Sequence, residues 1–491
     1  MPAGGGEHVL LKRFFHEGLA QASYLVGCQQ TGEALIVDAN RDVAQYVTAA
    51  RAAGLQVTHV TETHIHADYV SGSRELAAAT GATLLLSAEG GQDWQYKFAR
   101  EAGATMLRDG DTFAVGNVRI EAMHTPGHTP EHLTFLIADT LASTQPIGAL
   151  TGDFIFVGDV GRPDLLERVA GVEGSMRAGA KLLFESLRRF TERCPDWLQL
   201  WPGHGAGSAC GKSLGAMPQT TLGYEKLTNW AFQIDREEAF VEAVLDGQPE
   251  APTYFATMKR MNRDGPPALG DATTLRRLEP QALEAALARR ELVIDLRRAD
   301  EFASRHLPGT ISIPLTRAFA GYAGWVLPYD RDLYLLAGGG DDVPARQAAA
   351  ELAMIGLDRV SGWFGDDAVA AWTAHGGEAV SSQEVAPVDV AKRIDAGSTV
   401  IDVRSMAEWR TGHVAGSQHV PLGRLMMHMA DKPRSQPVIL LCESGSRSAI
   451  GASLLAAAGF TDVTNVPGGV AAWKSEGLPL DVDTVVFASA T

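Results

Sequence analysis

Thr63-His64-Ile65-His66-Ala67-Asp68-Tyr69 is the stretch on which the fold of this chain turns. It follows the apolar run Leu55-Gln56-Val57-Thr58-His59-Val60, which predicts a short strand. Two histidines two residues apart, with an aspartate two further on, put three metal-ligating side chains on one turn at a strand end. Neutral imidazole and carboxylate are ligands for zinc or non-haem iron. Three later stretches extend the pattern: His124-Thr125-Pro126-Gly127-His128-Thr129-Pro130, Thr151-Gly152-Asp153-Phe154-Ile155-Phe156 and Trp201-Pro202-Gly203-His204-Gly205. Each lies at or just past the end of a predicted strand, at 118–122, 149–152 and 197–201. Ligands distant in sequence can therefore converge at one edge of a sandwich.

The surrounding chain reads as α/β. Strands are predicted at 22–27, 33–38, 82–86 and 133–137. Helices are predicted at 41–53, with Asn40 as N-cap and Gly54 as stop, at 73–80 and at 175–194. A polar insert at 89–102 holds Trp94, Tyr96, Lys97 and Arg100; its aromatics either line a pocket or pack the insert down. From Thr228 to Gly270 the pattern weakens, and Gln248-Pro249-Glu250-Ala251-Pro252 and Gly265-Pro266-Pro267 mark 241–272 as a linker with helical pieces.

A repeat follows. Leu292-Val293-Ile294-Asp295-Leu296-Arg297 matches Thr399-Val400-Ile401-Asp402-Val403-Arg404, and Glu301-Phe302 with His306-Leu307-Pro308-Gly309 matches Glu408-Trp409 with His413-Val414-Ala415-Gly416, each 107 residues on. Strands alternate with helices in both copies, which predicts parallel sheets. The second copy continues into Val438-Ile439-Leu440-Leu441-Cys442-Glu443-Ser444-Gly445-Ser446-Arg447-Ser448 and closes with Val466-Pro467-Gly468-Gly469-Val470-Ala471-Ala472-Trp473. The first has Leu335-Leu336-Ala337-Gly338-Gly339-Gly340 in the corresponding loop and no cysteine.

At 491 residues the chain is expected to hold two to four domains. Acidic residues outnumber basic ones 59 to 42, a net charge of −17, which argues against nucleic acid or an anionic membrane as partner. No run of 18 apolar residues appears, and the first residues do not read as a signal peptide. The four cysteines, Cys28, Cys194, Cys210 and Cys442, are scattered and form no CxxC pair, which fits a reducing cytoplasm and predicts neither disulfides nor a thiolate zinc site.

The His64, His128, Asp153 and His204 motifs, in that order, resemble the metallo-β-lactamase superfamily over about residues 8–235, and specifically its persulfide dioxygenase branch. The resemblance implies a four-layer αββα sandwich with one Fe(II) held by His64, His128 and Asp153. His66, Asp68 and His204 are then expected either to orient those ligands or to bind metal themselves. Hydrolases of the superfamily carry His-x-His-x-Asp-His, whose last histidine helps hold a second metal. Here Tyr69 stands there, which disfavours a dinuclear hydrolase; it also departs from the usual dioxygenase pattern. Arg162 and Lys212 are candidates to bind a substrate carboxylate, and Tyr69 to touch substrate. Cys210 reads as structural, His124 as a strand-end cap and His59 as a strand-surface residue.

The two repeats resemble rhodanese domains, the first inactive. In the second, the cysteine ends a buried strand and opens a Gly/Ser loop into a helix. Gly445, Ser446, the helix N-terminus and Arg447 are expected to favour an anionic sulfur at Cys442. Phosphatase-like chemistry is a weaker rival, since that loop is one residue longer.

These readings give the domains as 1–240, a linker at 241–272, a cysteine-free rhodanese-like domain at 273–380 and a rhodanese domain at 384–485. The expected activity converts a low-molecular-weight persulfide, such as glutathione persulfide, with O2 to thiol and sulfite. Sulfur transfer through Cys442, to or from thiosulfate, is expected to accompany it in sulfide detoxification. A homo-oligomer, dimer or tetramer, fits the resemblance. The alternatives are a zinc-dependent thioesterase of the glyoxalase II type and a catalytically silent N-terminal scaffold.

Overall fold

Alternation along the first strands builds two cores at once. In β2 (Gln21–Cys28), Tyr24 and Val26 face one apolar cluster and Leu25 the other. In β3 (Glu33–Val37), Leu35 and Val37 join the first cluster, and Ala34 and Ile36 the second. The structure, a computed structural model, describes residues 9–165, 167, 174–269 and 275–482. It divides into two units, Met1–Gly270 with Ala353–Gly356, and Asp271–Leu352 with Leu357–Thr491.

The first sheet of unit one runs β1 (Val9–His16), β2, β3, β4 (Gln56–Thr61), β5 (Thr83–Ser87), β6 (Thr105–Leu107). β1 to β3 are antiparallel. From β3 onward the pairs are parallel, because α1 (Val43–Ala52) and α2 (Ser73–Thr80) serve as crossovers. The second sheet runs β12 (Thr220–Thr221), β11 (Gln199–Pro202), β10 (Gly148–Gly152), β9 (Leu133–Asp139), β8 (Val118–His124), β7 (Thr112–Val115). Tyr24, Val37, Ile120, Phe135 and Leu150 fill the space between the sheets. Outside the first sheet pack Tyr46, Ala50 and Leu76 of α1 and α2. Outside the second pack Leu183, Leu187 and Phe190 of α3 (Ser175–Arg193). This is the four-layer αββα sandwich.

The helix expected from residue 41 starts at Val43 with Asp42 at its N-cap. Asn40 is bound elsewhere: its Oδ1 accepts from the Asp42 N–H at 3.1 Å and from Gln45 Nε2 at 2.9 Å.

The stretch expected as a linker with helical pieces, 241–272, carries helices packed on unit one. α4 (Leu222–Thr228) is followed by α5 (Glu237–Leu245), whose Phe240, Val241 and Val244 complete the α3 core. α6 (Phe255–Asp264) buries Phe255, Met258 and Asn262. Gly265 caps the end of α6.

Unit two holds two parallel-rich sheets. One has the order β14 (Ile311–Ser312), β13 (Leu292–Asp295), β15 (Leu333–Leu336), β16 (Val360–Phe364). The other has β17 (Gln383–Glu384), β21 (Val463–Asn465), β20 (Val438–Leu441), β18 (Thr399–Asp402), β19 (Gln418–His419). Their registers agree: Ile294 faces Ile311 and Asp295 faces Ser312, as Ile401 faces Gln418 and Asp402 faces His419. Side chains repeat too. His306 stacks on Phe302 at 3.9 Å and His413 on Trp409 at 3.6 Å. Ala337 and Cys442 each directly follow the strand residue paired with the repeat's aspartate.

Among the described residues no helix is long and apolar enough to cross a membrane.

Phe135 is fully buried between the sheets. Phe135→Ala is expected to cost about 3–5 kcal/mol in urea unfolding, whereas Leu227→Ala, at a side chain 78% exposed, should stay within about 0.5 kcal/mol of the parent.

Candidate functional site

Four strand ends deliver the candidate metal site. The loop after β4 carries His64, that after β8 carries His128, and those after β10 and β11 carry Asp153 and His204. β10 and β11 are parallel neighbours, with Gly152 paired to Pro202, so their exits lie side by side. Gly152 has φ +48°, and a Cβ there would lie 2.4 Å from Thr63 Oγ1; only glycine lets the β10 exit pass the His64 loop.

Asp153 Oδ2 is buried and has no hydrogen-bond partner. It faces His128 Nε2 at 3.5 Å and His64 Nε2 at 3.8 Å. These three side chains form one of two groups among the described residues whose ligand atoms lie within 4.8 Å of one another. Each imidazole is held with its Nε2 lone pair toward the gap. His128 Nδ1 lies 3.0 Å from the Arg162 carbonyl, which can only accept, so Nδ1 carries the proton. For His64 the chain is one link longer. Thr63 Oγ1 donates to Asp38 Oδ2 at 3.0 Å, so it accepts from His64 Nδ1 at 2.9 Å. Burial drives His64 and His128 below the usual histidine range, which keeps both neutral, as metal ligation requires. An orphaned carboxylate oxygen between two such nitrogens fits a metal ion.

His204 bridges two carboxylates, Nδ1 to Asp153 Oδ1 at 2.7 Å and Nε2 to Asp68 Oδ2 at 2.6 Å. Burial opposes its charge, but Asp153 and Asp68 outweigh burial and hold it well above the ordinary histidine value. Both ring nitrogens are engaged, so His204 fixes Asp153. Cys210 lies in the second group, with Asp68 and His204; burial, Asp153 and Asp68 push its thiol far up. His66 Nε2 is bonded to Asp38 Oδ1 at 3.1 Å, and His66 belongs to neither group.

At the other site, Cys442 directly follows β20 ahead of the helix Ser446–Ala457. Its Sγ accepts from Gly445 N–H at 3.1 Å and Ser448 Oγ at 3.3 Å. Arg447 is forked onto Glu408 at 2.8 and 2.5 Å rather than onto the sulfur. Glu408 also accepts from the N–H and Oγ of Ser405. Gly469, at φ +56°, allows the closing motif to approach: a Cβ there would lie 2.1 Å from the Cys442 carbonyl, and Val470 N–H donates to that oxygen at 2.8 Å.

A family model described as the metallo-beta-lactamase superfamily matches residues 16–204, and one described as the rhodanese-like domain matches 386–476. A crystal structure of a metallo-beta-lactamase from Staphylococcus aureus is 40% identical, with a TM-score of 0.65; the match covers 73% of this chain and 99% of that one. The chain belongs to the metallo-β-lactamase superfamily, with a C-terminal rhodanese-like domain. It resembles the hydroxyacylglutathione hydrolase of a Polaromonas species at 31% identity over 37% of this chain, spanning 61% of that protein's length. It also resembles the mitochondrial persulfide dioxygenase ETHE1 of Bos taurus at 27%, over 41% of this chain and 70% of that one.

In this metallo-β-lactamase chain Arg162, Lys212 and Tyr69, the candidate substrate contacts of unit one, are engaged within the protein. Arg162 is fully buried, bidentate to Asp164 at 2.7 and 2.8 Å, with Ala209 and Pro249 carbonyls taking further donors. Lys212 Nζ donates to the Ala243 carbonyl at 2.6 Å and lies 4.2 Å from the Trp230 ring centroid. Tyr69 is buried, with Oη donating to the Asp38 carbonyl at 3.2 Å. The insert's Trp94 and Tyr96 sit in the outer core.

Sequence reasoning missed Asp38, His132 and Asn262. Asp38 accepts from Thr63 N–H at 2.7 Å as well as from Thr63 Oγ1 and His66. His132 Nε2 accepts from Asp153 N–H at 3.2 Å. Asn262 clamps the ligand loop, donating to the His66 and Tyr69 carbonyls at 2.8 and 2.7 Å and accepting from Ser71 N–H at 2.9 Å. Asp38 at φ +56° is the one detectable signal, visible only in the backbone.

Asp38→Ala should weaken metal binding by about 10–100-fold in chelator competition, since it frees the His64 tautomer. Asp153→Ala should abolish binding. For the Glu408–Arg447 pair, burial raises the Glu408 carboxyl, but Arg447 and Ser405 outweigh burial and hold it at about 2 against the ordinary 4.5. Its stabilisation is therefore complete above about pH 4.5 and lost as pH falls toward 2. Glu408→Gln should lower the unfolding temperature at pH 7, and the gap should close on acidification.

Proposed function

We propose that unit one is a mononuclear non-haem iron persulfide dioxygenase and that Cys442 transfers sulfane sulfur. The observation that carries this reading is the His64, His128, Asp153 triplet beside a Tyr69 that offers no second-metal ligand. Two histidines and one carboxylate leave positions on Fe(II) open to other ligands. The reaction balances as RSSH + O2 + H2O → RSH + SO3²⁻ + 2 H⁺.

Fe(II) held by the triplet would supply the redox chemistry that couples a persulfide to dioxygen. The chain's own residues do the rest. Thr63 and the Arg162 carbonyl keep the two imidazoles aimed, and burial keeps them neutral. His204 holds Asp153 by one oxygen and leaves the other free. Fully buried Phe154, Phe156 and Tyr69 exclude bulk water from the surrounding shell.

At Cys442 the thiolate attacks the outer sulfur of RSSH, giving a cysteine persulfide and RSH. Sulfite then takes that sulfur as thiosulfate and regenerates the thiolate. Gly445 N–H and Ser448 Oγ are placed to stabilise the anionic sulfur in each state. Sulfite made by one module is an acceptor for the other, so fusion raises its effective concentration. The role fits sulfide detoxification in a reducing cytoplasm.

Thioester hydrolysis on zinc is the competing reading, supported by the likeness to the hydroxyacylglutathione hydrolase. It needs a metal-activated water, and the engagement of Tyr69, His66 and His204 in hydrogen bonds speaks against a second metal to share that task.

The test is oxygen uptake with glutathione persulfide on anaerobically iron-loaded protein, with sulfite and thiosulfate assayed. Uptake should match sulfite plus thiosulfate, and Cys442→Ser should abolish thiosulfate while leaving uptake unchanged. Zinc-loaded protein that cleaves thioesters, with no uptake from the iron form, would overturn the dioxygenase.

A further inference from the structure

The cysteine-free repeat reaches the sulfur loop of its neighbour. Ser312, in β14 of the first repeat, donates its N–H to Ser453 Oγ of the helix Ser446–Ala457 at 3.0 Å, and both residues are buried. Ser446, Ala449, Ile450 and Ser453 recur at helical spacing, so the face that packs on the first repeat runs back to the Cys442 loop. Along that face the two repeats leave a cavity of about 570 Å³. Ser446, Ala449 and Ile450 form one wall, and Leu296, Pro314, Leu315 and Ala318 of the first repeat form the other. The volume lies in the range of small-molecule sites.

Charge in and around this cavity is compensated. Its ionic residues, Arg298 and Asp300, pair with each other at 3.0 and 3.1 Å. Arg447 is forked onto Glu408. Arg404 is held by Asp402 and by Glu443, and Glu443 also faces Lys474 at 3.7 Å. A donor that binds through its charge, such as thiosulfate, meets no free cation among these. An uncharged body fits the apolar wall of Leu296, Pro314 and Leu315. Tyr322, from the helix Phe319–Val326 of the first repeat, lines the same cavity. Burial raises its phenol above the ordinary range, Arg447 opposes the rise, and Cys442 and Glu408 add to it. The ring thus stands within electrostatic reach of the sulfur.

We propose that this cavity binds the organic body of the sulfane-sulfur donor to Cys442, uncharged and apolar next to the sulfur, with Leu315, Ala318 and Tyr322 of the cysteine-free repeat as specificity-determining residues. Its assignment rests on the proposed sulfur transfer at Cys442 and adds the class of donor to it. The first repeat then supplies half of the donor pocket. In the transfer step the Cys442 thiolate attacks the outer sulfur of R–S–SH. One S–S bond forms and one breaks, R–S⁻ leaves, and Cys442 becomes Cys–S–SH with no net change of oxidation state.

The experiment uses the full-length protein with thiosulfate, methanethiosulfonate and benzenethiosulfonate as donors, cyanide as acceptor and thiocyanate as the readout. Each organic donor, R–SO2–S⁻, releases R–SO2⁻ and leaves its sulfane sulfur on Cys442; cyanide takes that sulfur as thiocyanate and restores the thiolate. KM for benzenethiosulfonate should lie about tenfold or more below that for methanethiosulfonate, the effect of burying the ring, and thiosulfate should have the highest KM of the three. Ala318→Phe and Leu315→Trp, which fill the cavity from the first repeat, should bring the two organic donors to within about threefold of each other. KM does not depend on the fraction of protein folded, so partial unfolding of a variant leaves the comparison intact. Equal KM values for the two organic donors in the parent, a lower KM for thiosulfate than for either, or a preference that survives both variants would overturn the proposal and leave sulfur transfer by Cys442 standing. Thiocyanate formation that persists in Cys442→Ser would overturn the sulfur-transfer reading, and the donor pocket with it.

Discussion

An ionised carboxylate can only accept hydrogen bonds, and the candidate metal site depends on where Asp38 applies that constraint. Asp38 sits just past β3 at φ +56°, a conformation most side chains avoid. From there it takes the Thr63 N–H and hydroxyl and His66 Nε2. Because Thr63 must donate to Asp38, it must accept from His64, and His64 must turn its lone pair toward Asp153. The backbone strain at one position thus sets a tautomer at another, 26 residues away in sequence and one hydroxyl away in space.

The same logic governs the second carboxylate. His204 takes one oxygen of Asp153 and Asp68 takes the far side of His204. In a site with two metals, Asp68 and His204 would be available as ligands. Here they form a closed hydrogen-bonded chain, and Tyr69 points its hydroxyl at the Asp38 carbonyl instead of offering a nitrogen. Buried polar groups that satisfy one another resist being recruited by a second ion, whose binding would have to break them. These hydrogen bonds support the proposal of a single metal at His64, His128 and Asp153 as much as the count of ligands does.

Much of this was legible in the sequence because the motifs fall at strand ends, where periodicity two stops and polar residues cluster. His64, His128 and Asp153 were visible on that ground, and the repeat was visible because Asp295 and Asp402 hold Arg297 and Arg404 in the same way. What stayed hidden depends on pairing across the chain. Arg162 carries a charge that reads as a substrate contact, and only the buried Asp164 beside it removes that role. α6 read as a linker because Pro and Gly bound it, and its purpose lies in Asn262, which no local pattern marks. Asp38 looked like the end of a strand, since nothing in its neighbours announces that Thr63 and His66 will arrive there.

The two repeats in unit two share one frame and differ at a chemistry-bearing position. Strand register, the Asp–Arg pair and the stacked histidine are shared, and Ala337 stands where Cys442 does. Single side chains on a shared geometry distinguish the two repeats, and the candidate metal site turns on few residues as well. The most direct test is metal stoichiometry. The chain is reconstituted anaerobically with excess Fe(II), desalted, and analysed for metal per chain alongside Asp68→Ala. One ion per chain, retained in Asp68→Ala, is the expected result. Two ions per chain, falling to one in Asp68→Ala, would contradict a single-metal centre built on His64, His128 and Asp153.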